Sequence, residues 1–337
     1  MPMVPMRQVL DEAAKKQYAV GAYNVNNMEQ IQAIMQAARE TRSPLIIQAS
    51  HGALKYTSMV YLKHLMLAAV EENPDLPIVL HLDHGPDLAT CKEAIALGFT
   101  SVMIDGSIDY AKKDAKGAHP PRSFDDNVRV TREVVDYAHE RGVSVEGELG
   151  TLGGIEDDAH AASAHLTDPA EVEKFVKLTG VDALAVAVGT SHGAFKFKEE
   201  PVLALNLIPQ IKAKAGTTSL VMHGSSSVPQ ELVGKINQFG GKMDKTMGVP
   251  IPKLQEAIKL GIAKINVDTD GRLAATGAIR EFMARNPGEF DPRKYLGAAR
   301  TAIYGCIKSK MIDFSTAGHA GDYKPKTLAD MKKLYGK

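Results

Sequence analysis

The segment PIVLHLDHG, residues 77–85, is an apolar run that ends in a carboxylate and an imidazole. A short apolar run bounded by turn residues is typical of a strand in a parallel sheet that is covered on both faces. Asp83 and His84 stand side by side where this predicted strand meets its loop. The rest of the chain must show whether they merely cap a loop or belong to a functional site.

Eight segments have this apolar character, and helix-like segments lie between them. We predict strands in residues 19–25, 44–50, 77–85, 101–107, 144–150, 183–190, 219–224 and 263–269. The helix in residues 168–180 is predicted from its capping Asp168, the following proline and the terminal Gly180. Eight strands that alternate with helices predict an α/β fold of the (β/α)₈ TIM-barrel type. A doubly wound open sheet is the alternative, but its usual glycine fingerprint is missing after the first strand.

The pattern changes near residue 285, which predicts two parts in the chain. Residues 1–285 are predicted to form the catalytic barrel. Residues 286–337 are predicted to form a C-terminal helical extension and a polar tail. We expect this extension to pack on the barrel or on a neighbouring subunit.

The composition excludes several classes of function. The chain has 337 residues, of which 44% are hydrophobic, and its 40 basic residues balance 40 acidic ones. This balance argues against a nucleic-acid or membrane partner, because such binding needs a basic surface. We see no signal peptide and no membrane-spanning segment. With only Cys91 and Cys306, we expect a cytoplasmic protein whose metal sites use histidine and carboxylate ligands.

Polar residues stand at every predicted strand end. Catalytic residues of (β/α)₈ barrels lie at the carboxyl ends of the strands. In chain order, the predicted ends carry Asn24, Ser50, Asp83 with His84, Asp105, Glu148, His192, His223, and Asn266 with Asp268. Loop capping alone favours Ser, Thr, Asp and Asn and gives no reason for three histidines. We therefore predict that these side chains converge on one site at the barrel mouth.

Three of these residues form a candidate metal site. Three imidazoles that leave one coordination position open are a known arrangement for catalytic zinc. We predict that His84, His192 and His223 bind a transition metal, with zinc preferred and cobalt or iron as alternatives. Asp105 and Glu148 are further candidates, either as secondary metal ligands or as residues that orient the histidines.

Three short segments are candidates for phosphate binding, since phosphate needs small residues, backbone N–H groups at helix starts and a cation. They are GTSHGAFK with Gly193 and Lys196, HGSSSVP with Gly224 and Ser226, and NVDTDGR with Asn266, Asp268, Thr269 and Arg272. Together they indicate an anionic substrate with one or two phosphates.

Residues 150–169 separate the fifth strand from the next helix. A loop of this length inside a compact domain is usually functional. Gly153 and Gly154 are candidate hinges of a lid, and Glu156 lies just beyond them.

The chain resembles the class II, metal-dependent fructose-1,6-bisphosphate aldolases over essentially its whole length. The resemblance rests on an ordered set of motifs: GAYNVNN, LDHG, MIDGS, EGELGTLGGIEDD, VGTSHGAFK, MHGSSSVP, KINVDTDGRLA and EFDPRKYLGAAR. Where other members have H-G-G-S-G, this chain has HGSSS. This difference and the run FDPRKYLGAAR point to the branch with the longer C-terminus. The family fold is a (β/α)₈ barrel.

The resemblance implies roles for the candidate residues. It implies Zn²⁺ on His84, His192 and His223, and Asp105 and Glu148 match positions that take a second metal in some states. Asp83 would carry the proton of the C4 oxygen, and Glu156 the proton of the dihydroxyacetone phosphate carbon. The resemblance also implies a monovalent cation, Na⁺ or K⁺, near the phosphate, and we expect a homodimer or homotetramer.

The remaining roles implied by the resemblance concern the substrate. One phosphate would be held by Gly193, Lys196, Gly224, Ser226, Asn266, Asp268 and Thr269. Asn24 and Ser50 would contact the rest of the substrate, and Arg272 the far phosphate.

Three alternatives remain open at the level of sequence. A tagatose-1,6-bisphosphate aldolase would share nearly every site residue, although such enzymes are usually shorter at the C-terminus. A metal-dependent hydrolase on the same barrel would also use histidines and carboxylates, but it would not need the phosphate-binding turns. A non-catalytic binding protein would not need Asp83, Glu156 and three histidines together.

Overall fold

The computed structural model describes residues 3–156, 159–195 and 197–337, without the side chains of Glu156 and Ala159. Strands and helices alternate along these residues. The strands are β1 (Val20–Asn24), β2 (Leu45–Ser50), β3 (Ile78–Gly85), β4 (Ser101–Ile104), β5 (Ser144–Leu149), β6 (Gly153–Glu156), β7 (Ala159–His160), β8 (Ala183–Val186), β9 (Ser191–His192), β10 (Ser219–Met222) and β11 (Ile262–Val267).

Eight of these strands close into a parallel barrel. Its order is β1-β11-β10-β8-β5-β4-β3-β2, so the first strand pairs with the last. Every pairing within the barrel is parallel, as in Val20 with Lys264 and Leu45 with Ile78. The predicted (β/α)₈ barrel is therefore confirmed. The open sheet is excluded, because no strand of this sheet is left at an edge.

Helices surround the barrel and extend beyond it. They are α1 (Met6–Lys16), α2 (Met28–Thr41), α3 (His51–Thr57), α4 (Met59–Glu71), α5 (Leu88–Ala96), α6 (Phe124–His139), α7 (Pro169–Thr179), α8 (Leu207–Ala215), α9 (Gln230–Gln238), α10 (Ile251–Leu260), α11 (Thr269–Arg285), α12 (Pro292–Asp313) and α13 (Leu328–Leu334). The predicted ends of α7 are confirmed: Asp168 accepts a hydrogen bond from Ala170 N, and Gly180 is left-handed. In the described part of the chain, none of the helices is both long enough and apolar enough to span a membrane.

Apolar burial explains the two layers of the fold. Side chains on the outer face of the strands pack against the surrounding helices in one large cluster. A second cluster joins inward residues such as Val20, Val79 and Val221 to Val9 and Leu10 of α1. Helix α1 therefore closes the amino end of the barrel, which leaves the carboxyl end as the entrance.

The segment after β5 differs from the prediction. Residues 150–169 were expected to form a loop, but β6 pairs with β7 in an antiparallel hairpin and with β9 in parallel. The hairpin escapes prediction because strands of two to four residues are too short to show alternation. Glu156 is the last residue of β6, and its side chain lies outside the described residues.

The C-terminal segment packs on the barrel. Helix α12 contacts α2 and α11. Tyr335, which follows α13, stacks on His139 of α6 at 3.7 Å between ring centroids. The extension therefore lies against the barrel, and the division of the chain into a barrel (1–285) and an extension (286–337) stays a prediction.

Candidate metal centre and phosphate site

A bulge at the end of β3 places Asp83 and His84 together. Leu82 pairs with Val102 and Gly85 pairs with Ile104, so two residues of β3 stand opposite the single residue Met103. His84 has a left-handed φ of 47°, which is rare for a residue with a Cβ atom. A bulge re-aims a side chain that regular alternation would send to the other face. Consecutive residues can therefore serve one site.

The three predicted histidines meet at the barrel mouth. His84, His192 and His223 are buried, and one ring nitrogen of each lies within 4.8 Å of the others. His223 follows β10 directly, as predicted. The predicted position of His192 is wrong: β8 ends at Val186, and His192 lies in β9, outside the barrel sheet. The pairing of β9 with β6 brings it back to the site.

The hydrogen bonds of two rings leave nitrogen atoms that fit a metal ion. His84 Nδ1 lies 3.3 Å from Asp105 Oδ2, and His223 Nε2 lies 2.6 Å from Glu146 Oε1. When each of these nitrogens donates a proton, the other nitrogens, His84 Nε2 and His223 Nδ1, present lone pairs 2.9 Å apart. Two ligands of a tetrahedral zinc ion lie about 3.3 Å apart. A shared cation stabilises such facing lone pairs.

Carboxylates make the surroundings of His84 negative. Asp105 and Glu148 form with His84 a second group whose ligand atoms lie within 4.8 Å of one another. Among the described residues, no hydrogen-bond donor reaches the buried Glu148 Oε2. Buried polar atoms usually have a partner, so this oxygen also fits a cation. The donor set of imidazoles and carboxylates suits zinc.

Burial and neighbouring charges shift the pKa values of three groups at the site. Burial, with the nearby charge of Asp105, raises the pKa of Glu148 well above its usual value. Burial opposes a charge on His84, yet the hydrogen bond to Asp105 and the surrounding carboxylates raise its pKa. Burial, followed by the charges of His84 and Lys264, lowers the pKa of His223. The carboxylates that raise the pKa values of His84 and Glu148 make this part of the site negative, and a divalent ion would neutralise it.

Asp83 lies beside the histidines in a net of amide donors. Its Oδ2 accepts hydrogen bonds from Asn24 Nδ2 at 2.9 Å and from Gln48 Nε2 at 3.0 Å. Its Oδ1 accepts a hydrogen bond from Asn266 Nδ2 at 3.2 Å. These donors fix the carboxylate of Asp83, which is fully buried. Of the three, Gln48 was missed by the sequence analysis.

A charged layer lies directly below the site, and its central residue, Glu146, was also missed. Lys264 Nζ contacts Glu146 Oε2 at 2.8 Å, and Glu146 Oε1 contacts His223. His81 Nε2 lies 3.5 Å from Glu146 Oε2. These side chains are fully buried, so the ion pair neutralises charges that could not be buried singly.

A simple signal predicts this layer. The side chains of residues i and i+2 of a strand point to the same face. Gln48, His81, Glu146 and Lys264 each stand two positions before a predicted site residue. The residue two positions before a strand-end site residue therefore identifies each of these four side chains.

The Glu146→Gln variant is expected to bind zinc about 10- to 100-fold more weakly, since partners of this kind fix the orientation and basicity of a histidine ligand. The zinc dissociation constant, measured by competition with a chromogenic chelator, tests this. Glu93→Gln on the exposed face of α5 is the matched control. An unchanged zinc affinity in Glu146→Gln would show that Glu146 does not support His223.

Four of the predicted phosphate residues lie on one side of the mouth. Gly193, Asp268, Thr269 and Arg272 line a common cavity of about 300 Å³. Ser226 Oγ accepts a hydrogen bond from Asp268 N at 3.3 Å, which joins this cavity to the loop after β10. In that loop Gly224 has a φ of 61°, and a Cβ atom there would lie 2.7 Å from Ser191 O. Only glycine fits this approach.

The remaining predicted substrate-binding residues make other contacts or lie outside the described part of the chain. Arg272 forms a double contact with Asp268, with Nε–Oδ1 at 2.8 Å and Nη2–Oδ2 at 2.7 Å. Ser50 caps α3 by accepting a hydrogen bond from Ala53 N at 3.1 Å. Lys196 lies outside the described residues. Its predicted role, like that of the Glu156 side chain, stays a prediction.

Fold and site together define a class of protein, the (β/α)₈ barrels with a histidine-rich candidate metal centre at the carboxyl end. Residues 4–319 match the family described as Fructose-bisphosphate aldolase class-II. The chain therefore belongs to the class II fructose-bisphosphate aldolase family.

Individual relatives agree with this assignment. The chain is 55% identical to a fructose-bisphosphate aldolase of Giardia intestinalis, over 99% of this chain and 100% of the relative. It is 49% identical to a fructose-bisphosphate aldolase of Pseudomonas aeruginosa, over 100% and 98% of the two chains. Among solved structures, it is similar to the YdjI aldolase from Escherichia coli K12, with a TM-score of 0.75 and 29% identity. That match covers 95% of this chain and 100% of the other.

Proposed function

We propose that this protein catalyses the zinc-dependent, reversible aldol cleavage of fructose 1,6-bisphosphate, as in glycolysis and gluconeogenesis. The products are dihydroxyacetone phosphate and glyceraldehyde 3-phosphate. The observation that carries the proposal is the position of Asp83, beside three buried histidines whose ring nitrogens converge at the barrel mouth. His84, His192 and His223 would hold the zinc. When bound, the ion supplies Lewis-acid stabilisation of the negative charge that develops beside the carbonyl.

The protein's own residues would move the protons. Cleavage of the C3–C4 bond needs a base for the proton of the C4 hydroxyl, and Asp83 is the candidate. Asn24, Gln48 and Asn266 hold its carboxylate in place through their amide groups. Glu156, at the end of β6, is the candidate for the proton at the dihydroxyacetone phosphate carbon.

Phosphate recognition is proposed at the cavity beside the metal centre. Gly193 follows β9, Gly224 and Ser226 follow β10, Asn266 lies within β11, and Asp268 and Thr269 stand at the start of α11. These residues would hold one phosphate, and Lys196 is proposed to add a cation. Asn24 and Ser50 would contact the rest of the substrate. Arg272 would face the far phosphate. A monovalent cation, Na⁺ or K⁺, would assist near the phosphate, and Asp105 with Glu148 would take a second divalent ion.

The proposal also covers the localisation and the oligomeric state of the protein. We propose a cytoplasmic homodimer or homotetramer with no nucleic-acid or membrane partner. Sedimentation of the purified protein would distinguish the two oligomers from a monomer.

Chelation is expected to abolish cleavage, and borohydride with substrate is expected to leave the enzyme active. An aldolase that uses a Schiff base needs an accessible lysine amine. Lys264, in β11, is fully buried and paired with Glu146. Coupled-enzyme assays before and after chelation, and after zinc is restored, test the prediction. Cleavage that resists the chelator but is lost with borohydride would contradict it.

The same assay separates the competing substrates. Tagatose 1,6-bisphosphate differs only at C4, so the ratio of kcat/KM for the two sugars decides between them. A higher value for tagatose 1,6-bisphosphate would replace fructose 1,6-bisphosphate in the proposal. Release of inorganic phosphate without carbon–carbon cleavage would favour the hydrolase.

A further inference from the structure

A buried lysine of the C-terminal extension reaches the candidate phosphate loop. Lys310 lies on α12 but is only 4% exposed. Its Nζ lies 2.9 Å from Asp270 Oδ2 and 2.5 Å from Ser227 Oγ. Lysine is almost never this buried unless it is paired. The three residues form what we call the α12 anchor: Ser227, Asp270 and Lys310.

Asp270 connects this anchor to the backbone of the loop after β10. Its Oδ2 accepts hydrogen bonds from Ser227 N at 2.9 Å and Ser227 Oγ at 3.0 Å. Its Oδ1 accepts a hydrogen bond from Val228 N at 2.8 Å. Asp270 is itself in the first turn of α11, immediately after Asp268 and Thr269. One carboxylate therefore joins two of the three segments that are proposed to bind phosphate.

The loop needs such support because its backbone is strained. Val228 has a φ of 48°, a left-handed conformation that a β-branched residue rarely adopts. A residue in this state persists only where its surroundings hold it. Here the bond from Val228 N to Asp270 does so.

Charge gives Lys310 a second role. Asp270 is fully buried, so its negative charge would act strongly on a phosphate dianion bound by the neighbouring residues. The ammonium group of Lys310 neutralises that charge at 2.9 Å. A phosphate site built around an unpaired carboxylate would repel its ligand.

We propose that Lys310 is a positioning residue for phosphate binding. It fixes the loop after β10 relative to the start of α11, and it cancels the charge of Asp270. This inference rests on the proposed function, in which these two segments hold a substrate phosphate. It assigns to the C-terminal extension a direct part in substrate affinity.

The Lys310→Met variant, which keeps an unbranched side chain as far as Cε but removes the charged amine, tests the inference. We expect KM for fructose 1,6-bisphosphate to rise about tenfold or more, because one partner of a buried pair has been removed. We expect kcat to change less than about twofold, since the metal centre and Asp83 are untouched. Inorganic phosphate, used as a competitive probe, is expected to bind more weakly by a similar factor.

Two matched variants separate positioning from a general structural effect. Lys308→Met removes a lysine of the same helix that pairs with Glu40 at the surface, and its KM is expected to match that of the wild type. Lys310→Arg keeps the charge and is expected to recover most of the affinity. Faster hydrogen exchange at the amides of Ser227 and Val228 is expected in Lys310→Met alone.

The results of these experiments test the role of Lys310 separately from the proposed aldolase activity. A wild-type enzyme that cleaves no sugar bisphosphate refutes the proposed function. A wild-type enzyme that cleaves, with an unchanged KM and unchanged amide exchange in Lys310→Met, refutes only the role of Lys310. If Lys310→Met does not fold, Ser227→Ala removes the two hydroxyl contacts of the anchor without changing charge, and it leaves the Lys310–Asp270 pair in place. Its KM is expected to rise about threefold, and an unchanged KM overturns the inference.

Discussion

The His223→Ala variant is expected to lose its zinc and, with it, sugar bisphosphate cleavage. His223 is fully buried, and its Nδ1 lies 2.9 Å from His84 Nε2, where a shared ion would sit. Alanine leaves two imidazoles, which is too few for a three-histidine centre. Loss of a Lewis acid removes several kcal/mol of transition-state stabilisation, or about a thousandfold and more in rate.

Metal analysis of the dialysed protein and initial rates measure this result, and circular dichroism checks that the barrel is folded. His64→Ala, on the exposed surface of α4, is the control and is expected to keep both zinc and activity. A folded His223→Ala enzyme with a full complement of zinc would remove His223 from the proposed centre.

The Asp83→Ala variant is expected to separate metal binding from turnover. Asp83 belongs to neither group of candidate metal ligands, and its oxygens instead accept amide hydrogen bonds from three different strands. Its removal is therefore expected to leave zinc in place. Turnover is expected to fall by about 10²- to 10⁴-fold, which is the usual contribution of a general base.

Zinc content and kcat of the same preparation test this separation. Asp87→Asn changes a nearby carboxylate that caps α5, and asparagine caps equally well, so this variant is expected to behave as the wild type. Near-normal turnover in Asp83→Ala would assign the C4 proton to another group.

The sequence analysis succeeded where regular alternation applies. Apolar strands interrupted by helices predicted the barrel, and strand ends located Asp83, His84 and His223. It grouped His192 correctly with the other two histidines but assigned it to the wrong strand, because the residue lies in a two-residue strand that pairs with the four-residue β6. Such pairing depends on tertiary contacts and leaves no periodic signal in the sequence.

Contacts between distant segments were the other limit. The pair of Glu146 and Lys264 joins residues 118 positions apart, and Lys310 reaches Ser227 across 83 positions. Strand alternation can place Glu146 and Lys264 inside the barrel, because each precedes a site residue by two. Helical periodicity places Lys310 on the buried stripe with Ile303 and Ile307, and Lys308 on the other face. No local pattern predicts that Lys310 pairs with Ser227 and Asp270.

The bulge in β3 fixes the position of Asp83 relative to His84. The distance between two functional groups on different strands depends on how those strands pair. Asp83 and His84 are joined by a single peptide unit, and the hydrogen bonds on both sides of the bulge hold that unit in the wall. The proposed base and the proposed zinc ligand are therefore fixed to adjacent backbone positions, and their separation does not depend on how two different strands pair.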